Sequence, residues 1–445
     1  MNSYKKNNWA FLLSPARLVL DGNGNPKWIQ QAEKGDNRSP FERDFERVVF
    51  SSPFRRLAGK TQVHPFPEID YVHNRLTHSI EVASVAHSLA ANIGQYLHLK
   101  GEISERQTAD LCWIVKAAGL AHDIGNPAFG HAGEEAIKWW ARQTDRKLVC
   151  KEDFKNFDGN AEAFRMVVRD DLRDACHYQF TAASVGALVK YPPEKNGKAG
   201  RNEKLGVFST EMPIFNALWK EELHLDQLKT RRHPLSYLVE AADDICYRIL
   251  DLEDAVRLHY LDESRLRAIF ESFRMDSSNT GTKQPVERLR GECIQSLVSC
   301  FATAFKENYV EIMEGTFPYR SLKDFVQKSA PDIGAGLDAI SNVYETLFFE
   351  RHKLLSETGC FHLYKTILST YMEAGENVYR NNKMRPYNLL SCRTKKLVRL
   401  AWNEEFYECS RARKDSGRRW WDHTILDFIT GMTDSYLVSL AQQIG

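Results

Sequence analysis

The sequence predicts an all-α protein. Apolar residues recur at three- and four-residue steps in one segment after another, and strand-like alternation bounded by turn signals is scarce. Stop and start residues also fall at the ends of those segments, where helix boundaries require them. Between Arg75 and Leu97 the recurring positions are Leu76, Ile80, Ala83, Leu89, Ile93 and Leu97. A second helix is expected from about Thr108 to Ala121, with Leu111, Ile114, Val115 and Ala118 inward and Gly125-Asn126-Pro127 stopping it. A third opens near His131 and carries Ala132, Ala136, Ile137 and Trp140. A fourth, read as the longest, starts at Pro234, a residue favoured in the first turn, and runs to about Tyr260. No internal repeat or low-complexity tract interrupts the pattern.

Of 445 residues, 43% are hydrophobic and 27% charged, which excludes a disordered, collagen-like or coiled-coil chain. With 60 Lys+Arg against 59 Asp+Glu the chain is not basic throughout, although local patches remain open. No apolar run approaches the ~18–20 residues that span a bilayer, and the apolar stretch after Met1 is too short for a signal peptide. Nine cysteines without a CxxC pair point to a reduced, cytoplasmic protein with no membrane partner. Three stretches depart from helix. Residues 190–208 hold two Pro, three Gly and five basic residues and read as a loop. Residues 274–287 read as a linker or surface loop and offer the best boundary between an N-terminal and a C-terminal part. Residues 380–419 carry twelve Lys/Arg against four Asp/Glu, interleaved with Trp402, Phe406 and Tyr407. That stretch is either a solvated helical face or a contact surface for phosphate or nucleic acid.

Four segments supply metal-ligand residue types in helical context: His78, then His122-Asp123, then His131 with Glu134, then Asp243-Asp244. Singly each is weak, because a lone helical histidine is more often packed or exposed than a ligand. The adjacent His-Asp pair carries more, since a buried imidazole beside a carboxylate is costly unless something compensates both. Two neutral imidazoles and two carboxylates together suit Mn²⁺, Fe²⁺, Mg²⁺ or Zn²⁺, with positions left for water. Asp243, Tyr247 and Asp251 stand at i, i+4 and i+8, one stripe stepping about 6 Å per turn. A core stripe would be Leu or Ile, so acid, phenol, acid reads as the lining of a polar pocket. An exposed face is the alternative, disfavoured because Leu238, Ala241, Ala242, Ile245 and Ile249 already define the buried side. Asp244 and Arg248 form an i, i+4 pair on the adjoining face, which leaves Asp243 as the ligand. His131 and Glu134, spaced i, i+3 at a helix start, suit general acid/base work; a capping Glu beside an incidental His is the alternative.

Six segments together resemble a known family. They are Ser51-Ser-Pro-Phe-Arg-Arg-Leu-Ala-Gly-Lys-Thr-Gln-Val63, Asn74-Arg-Leu-Thr-His-Ser-Ile-Glu-Val82, His122-Asp-Ile-Gly-Asn-Pro-Ala-Phe-Gly-His-Ala-Gly-Glu134, Phe157-Asp-Gly-Asn-Ala161, Glu240-Ala-Ala-Asp-Asp-Ile-Cys-Tyr247 running on to Asp251-Leu-Glu-Asp-Ala255, and Asp427-Phe-Ile-Thr-Gly-Met-Thr-Asp-Ser-Tyr436. The H…HD…D set alone resembles the HD-domain phosphohydrolases; all six in order resemble their deoxyguanosine triphosphate triphosphohydrolase (dGTPase-like dNTPase) branch. The resemblance implies cleavage of a dNTP, dGTP foremost, between the 5′ oxygen and the α-phosphate to release deoxynucleoside and inorganic triphosphate. It implies one divalent metal (Mn, Mg, Fe or similar) on His78, His122, Asp123 and Asp243, and His131 with Glu134 as the catalytic pair. Gln62 would reach the 3′-hydroxyl, and Tyr247 with Asp251 would sit against the sugar. Arg75, Lys190, Tyr191 and Lys204 would contact the phosphates, making 190–208 a phosphate clamp, and Asn160 would be a pocket residue. On this basis residues 1–70 contribute the FRRLAGKTQV segment, 71–270 form the HD core, and 290–445 complete the pocket and the oligomer contacts. A homo-oligomer, commonly a hexamer, with a dNTP or single-stranded DNA as effector is also implied. Two alternatives stay open at this point: hydrolysis of another nucleotide phosphoester, or a nucleic-acid-binding regulator with a vestigial site.

Overall fold

The computed structural model describes residues 4–20, 25–30, 37–63, 72–169, 178–194, 204–273, 284–347, 351–381, 383–411 and 417–445. Among them the fold is all-α: there are twenty-one α-helices, and the only strands form two small antiparallel hairpins. Arg17–Leu20 pairs with Pro26–Ile29, and Tyr379–Arg380 pairs with Lys383–Met384.

The helices begin where their capping residues stand. Asn74 accepts hydrogen bonds from the amides of Leu76 and Thr77 while Thr77 Oγ1 accepts from the Asn74 amide, so helix Arg75–Leu99 starts at a reciprocal box. Ser104 and Gln107 make the same arrangement at the head of helix Glu105–Ala121. Leu89, Ile93 and Leu97 are fully buried between these two helices, each side chain contributing about 1.5–3 kcal/mol. The pair closes to backbone distance at Gly119, where a Cβ would lie 3.0 Å from Ala83 Cα. That approach brings the start of the first helix beside the end of the second. Helix Pro234–Arg257 crosses both.

Two buried clusters fill the molecule. One runs from the N-terminal helix through Arg75–Leu99, Glu105–Ala121 and Pro234–Arg257 to residues 286–344. The other joins helix Gly130–Gln143 and residues 154–161 to the chain beyond residue 360. The segment from His122 to Gly130 passes between them.

Three expectations need correction. Ile80 is half exposed; the inward face of its helix is instead Val82, Val85, Ala86 and Ala90, small residues that permit the close packing. The longest helix is Arg351–Val378, with 28 residues against 24 for Pro234–Arg257. Trp402 and Tyr407 are buried in the second cluster, Trp402 against Trp421, Phe428 and Tyr371, so these rings are core and not a stacking surface. Several basic residues of that stretch are also engaged locally, with Arg399 on Glu404, Arg411 on Glu408 and Arg385 on backbone carbonyls. Residues 195–203 of the 190–208 loop and 274–283 of the 274–287 linker lie outside the described residues. No helix among the described residues is long and apolar enough to cross a membrane.

Candidate active site

A cavity of about 330 Å³ opens where the three long helices meet the His122–Gly130 turn. Its floor is a cluster of His78, His122 and Asp123, whose ligand atoms lie within 4.8 Å of one another. Asp243 completes it from the crossing helix, with Oδ1 3.2 Å from His78 Nε2 and 3.7 Å from His122 Nε2. The tautomer of His122 is fixed from behind: Nδ1 lies 2.7 Å from the Gly119 carbonyl and donates to it, so Nε2 faces the carboxylates as a bare lone pair. That nitrogen is buried and has no hydrogen-bond partner among the described residues. An orphaned acceptor aimed at two carboxylates is a poor protein–protein arrangement and a good cation site, so the four side chains fit a divalent metal.

The charges around the cluster follow from its partners. Burial alone would raise Asp123, but the His122 and Arg75 side chains outweigh it and hold the carboxyl below its ordinary value. Arg75 Nη1 donates to Asp123 Oδ2 at 2.7 Å. Burial likewise opposes ionisation of Asp243; Lys190 and the two histidines win, and it stays well below the carboxylate range. Lys190 Nζ stands 3.3 Å from Asp243 Oδ2 and 3.7 Å from Glu240 Oε1. Asp244 turns the other way, to Lys323 at 3.4 Å and Arg248 at 3.8 Å, as the pairing of Asp244 with Arg248 led us to expect.

His131 and Glu134 stand on the opposite wall. Phe129 (φ 60°) and Gly130 (φ 54°) turn through the left-handed region and launch helix Gly130–Gln143. His131 is exposed to the cavity and its Nδ1 meets Glu134 Oε2 at 3.1 Å. Glu134 is buried and its other oxygen accepts from the Gly159 amide at 2.9 Å. Burial opposes its charge, but His131 and that amide keep it below its ordinary value.

Gln62, Arg75, Asn160, Lys190, Tyr191, Lys204 and Tyr247 also line the cavity. Gln62 Oε1 is buried there without a partner among the described residues. Lys204 Nζ is 3.9 Å from Asp158, the carboxylate that caps the helix carrying Asn160. Asp251 does not line the cavity. It is buried behind Tyr247, which stacks on Tyr344 at 5.0 Å and 13°. The Tyr344 hydroxyl is 2.9 Å from Asp251 Oδ2 and 2.6 Å from the Tyr247 carbonyl.

Comparison with known proteins fits this geometry. The family model of the HD domain matches residues 75–207, from the first helix that feeds the cluster through His122-Asp123. A deoxyguanosinetriphosphate triphosphohydrolase-like protein of Pseudomonas aeruginosa (strain LESB58) is 31% identical, over 98% of this chain and 98% of its own length. The chain belongs to the deoxyguanosinetriphosphate triphosphohydrolase-like family. Another member, from Listeria monocytogenes serovar 1/2a, is 31% identical over 96% of this chain and 98% of its own. The deoxyguanosinetriphosphate triphosphohydrolase of Salmonella paratyphi A is 28% identical over 89% and 91%. This triphosphohydrolase-like protein is therefore an enzyme of the HD hydrolase class.

Several supports of the site went unread in the sequence. Glu240 lies three residues before Asp243 on the same helix face, a spacing that would have found it. Glu357 reaches the cavity from helix Arg351–Val378, which carries no motif. Asp434 joins three segments: it accepts from the Thr61 amide at 2.8 Å and the Thr61 hydroxyl, and its other oxygen accepts from the Phe129 amide at 2.9 Å. Lys60 adds bonds of 2.6 Å to the carbonyls of Asn126 and Thr430. The C-terminal signature of this triphosphohydrolase-like chain thus touches the residue before Gln62 and the turn before His131.

Proposed function

We propose that this enzyme is a metal-dependent dNTP triphosphohydrolase, with dGTP its preferred substrate, releasing deoxynucleoside and inorganic triphosphate. One observation carries the reading: a four-ligand cation cluster, a His–Glu pair, three phosphate-seeking cations and an unpartnered Gln62 carbonyl oxygen all face one cavity. The relatives' names support the substrate class.

A divalent cation on His78, His122, Asp123 and Asp243 supplies Lewis-acid polarisation of the α-phosphate oxygens. Arg75, Lys190 and Lys204 neutralise the triphosphate, whose charge grows on the leaving side. His131 projects into the cavity with Nδ1 held by Glu134, leaving Nε2 to take a proton from the attacking water or give one to the departing 5′ oxygen. Gln62 Oε1 accepts from the 3′-hydroxyl. Tyr247, fixed flat against Tyr344, closes the sugar edge where a 2′-hydroxyl would stand. The same reading takes the enzyme to be cytoplasmic and oligomeric, with a hexamer as the expected form.

The test is incubation of the metal-reconstituted protein with each dNTP and with GTP, resolving products by anion exchange. Intact triphosphate plus deoxynucleoside, fastest from dGTP and absent from GTP, is the expected result. Release of monophosphate or pyrophosphate would overturn it, as would no turnover even with mixed dNTPs and single-stranded DNA added. His131→Ala should keep its metal and lower kcat by about 10²–10⁴; near-normal turnover would remove His131 from the chemistry.

A further inference from the structure

A second cavity of about 150 Å³ adjoins the first, and Lys190, Tyr191 and Lys204 line both. The wall between them is one charged network. Arg232, lining the second cavity, holds Glu240, lining the first, at 2.6 Å, and Glu240 in turn meets Lys190. Arg232 is immobilised: its remaining nitrogens donate to Ser236 and to the Arg320 carbonyl, and its guanidinium lies 4.0 Å from the Tyr237 ring centre.

The two cavities differ in charge. Among the described residues the main one mixes acid and base: Asp123 and Asp243 belong to the cation cluster, and Glu134, Glu240 and Glu357 stand beside Arg75, Lys190 and Lys204. Among the described residues the side chamber is the more basic: Lys190, Lys204, Lys229, Arg232 and Arg320 line it with one acid, Glu194. Lys229 and Arg320 stand exposed at its outer side, and among the described residues neither has an acidic partner. A polyanion freed from its nucleoside in the first cavity therefore finds positive charge without an acidic partner beyond the Lys190–Lys204 wall. The chamber is too small for a nucleotide and suits a bare phosphate chain.

We propose that this side chamber binds inorganic triphosphate and is the port through which that product leaves, separately from the deoxynucleoside. The inference rests on the triphosphohydrolase reading above. Lys190 and Lys204 hold the tail while it is esterified and then pass it outward to Lys229 and Arg320.

The experiment compares the wild type with a Lys229→Glu/Arg320→Glu variant. Both positions are exposed, so the fold should tolerate the change, and Lys229→Arg/Arg320→Lys serves as the charge-conserving control. Charge reversal should raise the inhibition constant of inorganic triphosphate about tenfold more than it raises KM for the dNTP, and the control should restore it. Calorimetric titration of the metal-loaded enzyme with inorganic triphosphate alone should show the same weakening. If the inhibition constant and KM move together, or neither moves, triphosphate occupies only the main cavity and the port is refuted. Calorimetry needs no turnover, so a wild type that binds triphosphate in the chamber yet releases none from any dNTP would sink the reaction and not the site.

Discussion

Among the described residues two clusters bring histidine and aspartate together at ligand distance, and only one is built for a cation. His78, His122 and Asp123 have ligand atoms within 4.8 Å, and so do Cys150, Asp153 and His423. In the second cluster every oxygen of Asp153 is spoken for: Ser209 donates from its amide and hydroxyl at 3.1 and 2.7 Å, and His423 Nε2 sits 3.0 Å away. The bare nitrogen of His423, Nδ1, is on the other edge of the ring. Burial and the neighbouring carboxylates of Asp153 and Asp422 push the Cys150 thiol up to about 12, so it stays protonated. In the first cluster the bare nitrogen of His122 instead faces two carboxylates across open volume. Residue type and proximity are shared; what separates a site from a strut is whether lone pairs are left over and where they aim.

The strongest way to break this comparison is Asp243→Ala. It should strip the metal, read by elemental analysis, and lower turnover by about 10³-fold or more. Retained stoichiometric metal would shift the ligand role to another residue. A smaller effect on turnover is expected from Asp434, which does not itself line the cavity and holds two lining residues, Thr61 and Phe129, in place. Phe129 sits in a left-handed conformation that costs about 1–3 kcal/mol and persists only while its surroundings enforce it. Asp434→Ala should lower kcat about tenfold with metal content intact and KM raised, and Asp434→Asn, which keeps one acceptor, should recover part of the loss. A loss of thermal stability with unchanged kcat would reduce Asp434 to a purely structural residue. Asp153→Ala should cost about 1–3 kcal/mol in denaturant unfolding, through the stranded donors of Ser209, and, unlike Asp434→Ala, leave kcat unchanged, with metal content intact. Loss of metal in that variant would make the second cluster a site after all.

The legible part of the site was the part written in short-range spacing. His78, His122-Asp123 and Asp243 each sit on or next to a helix whose period and caps are local, and Asp243 separated from Asp244 because Arg248 is one turn away. Asp434 was illegible as a support, because its bonds join residues more than 300 positions apart. Trp402 and Tyr407 misled for a related reason: a basic, aromatic stretch looks the same whether its rings face solvent or Trp421 and Tyr387. Asp251 was placed on the correct helix face, yet spacing cannot tell that Tyr344, from a helix with no motif, closes over it.

Asp251 also sharpens what burial does to a carboxyl. Asp153 is buried too and Asp243 half-buried, and bonds or cations hold both below their ordinary values. At Asp251 burial outweighs the opposing pull of His78 and Tyr344 and raises the carboxyl to about 7. The hydrogen bonds agree. Tyr344 has one proton and two acceptors within reach, so a protonated Asp251 that donates to Tyr344 leaves the Tyr344 proton for the Tyr247 carbonyl. Because the folded state keeps this proton where the unfolded chain has lost it, stability is full below the ordinary carboxyl range and falls as pH rises toward 7. The slope from this group is at most about 1.4 kcal/mol per pH unit, flattening above about 7. Denaturant unfolding of wild type and Asp251→Asn from pH 4 to 8 reads it directly: the amide keeps a donor for Tyr344 and has no charge to lose, so the variant should gain on the wild type across that window. Parallel curves would mean that Asp251 is ionised throughout and that Tyr344, not a proton, compensates it.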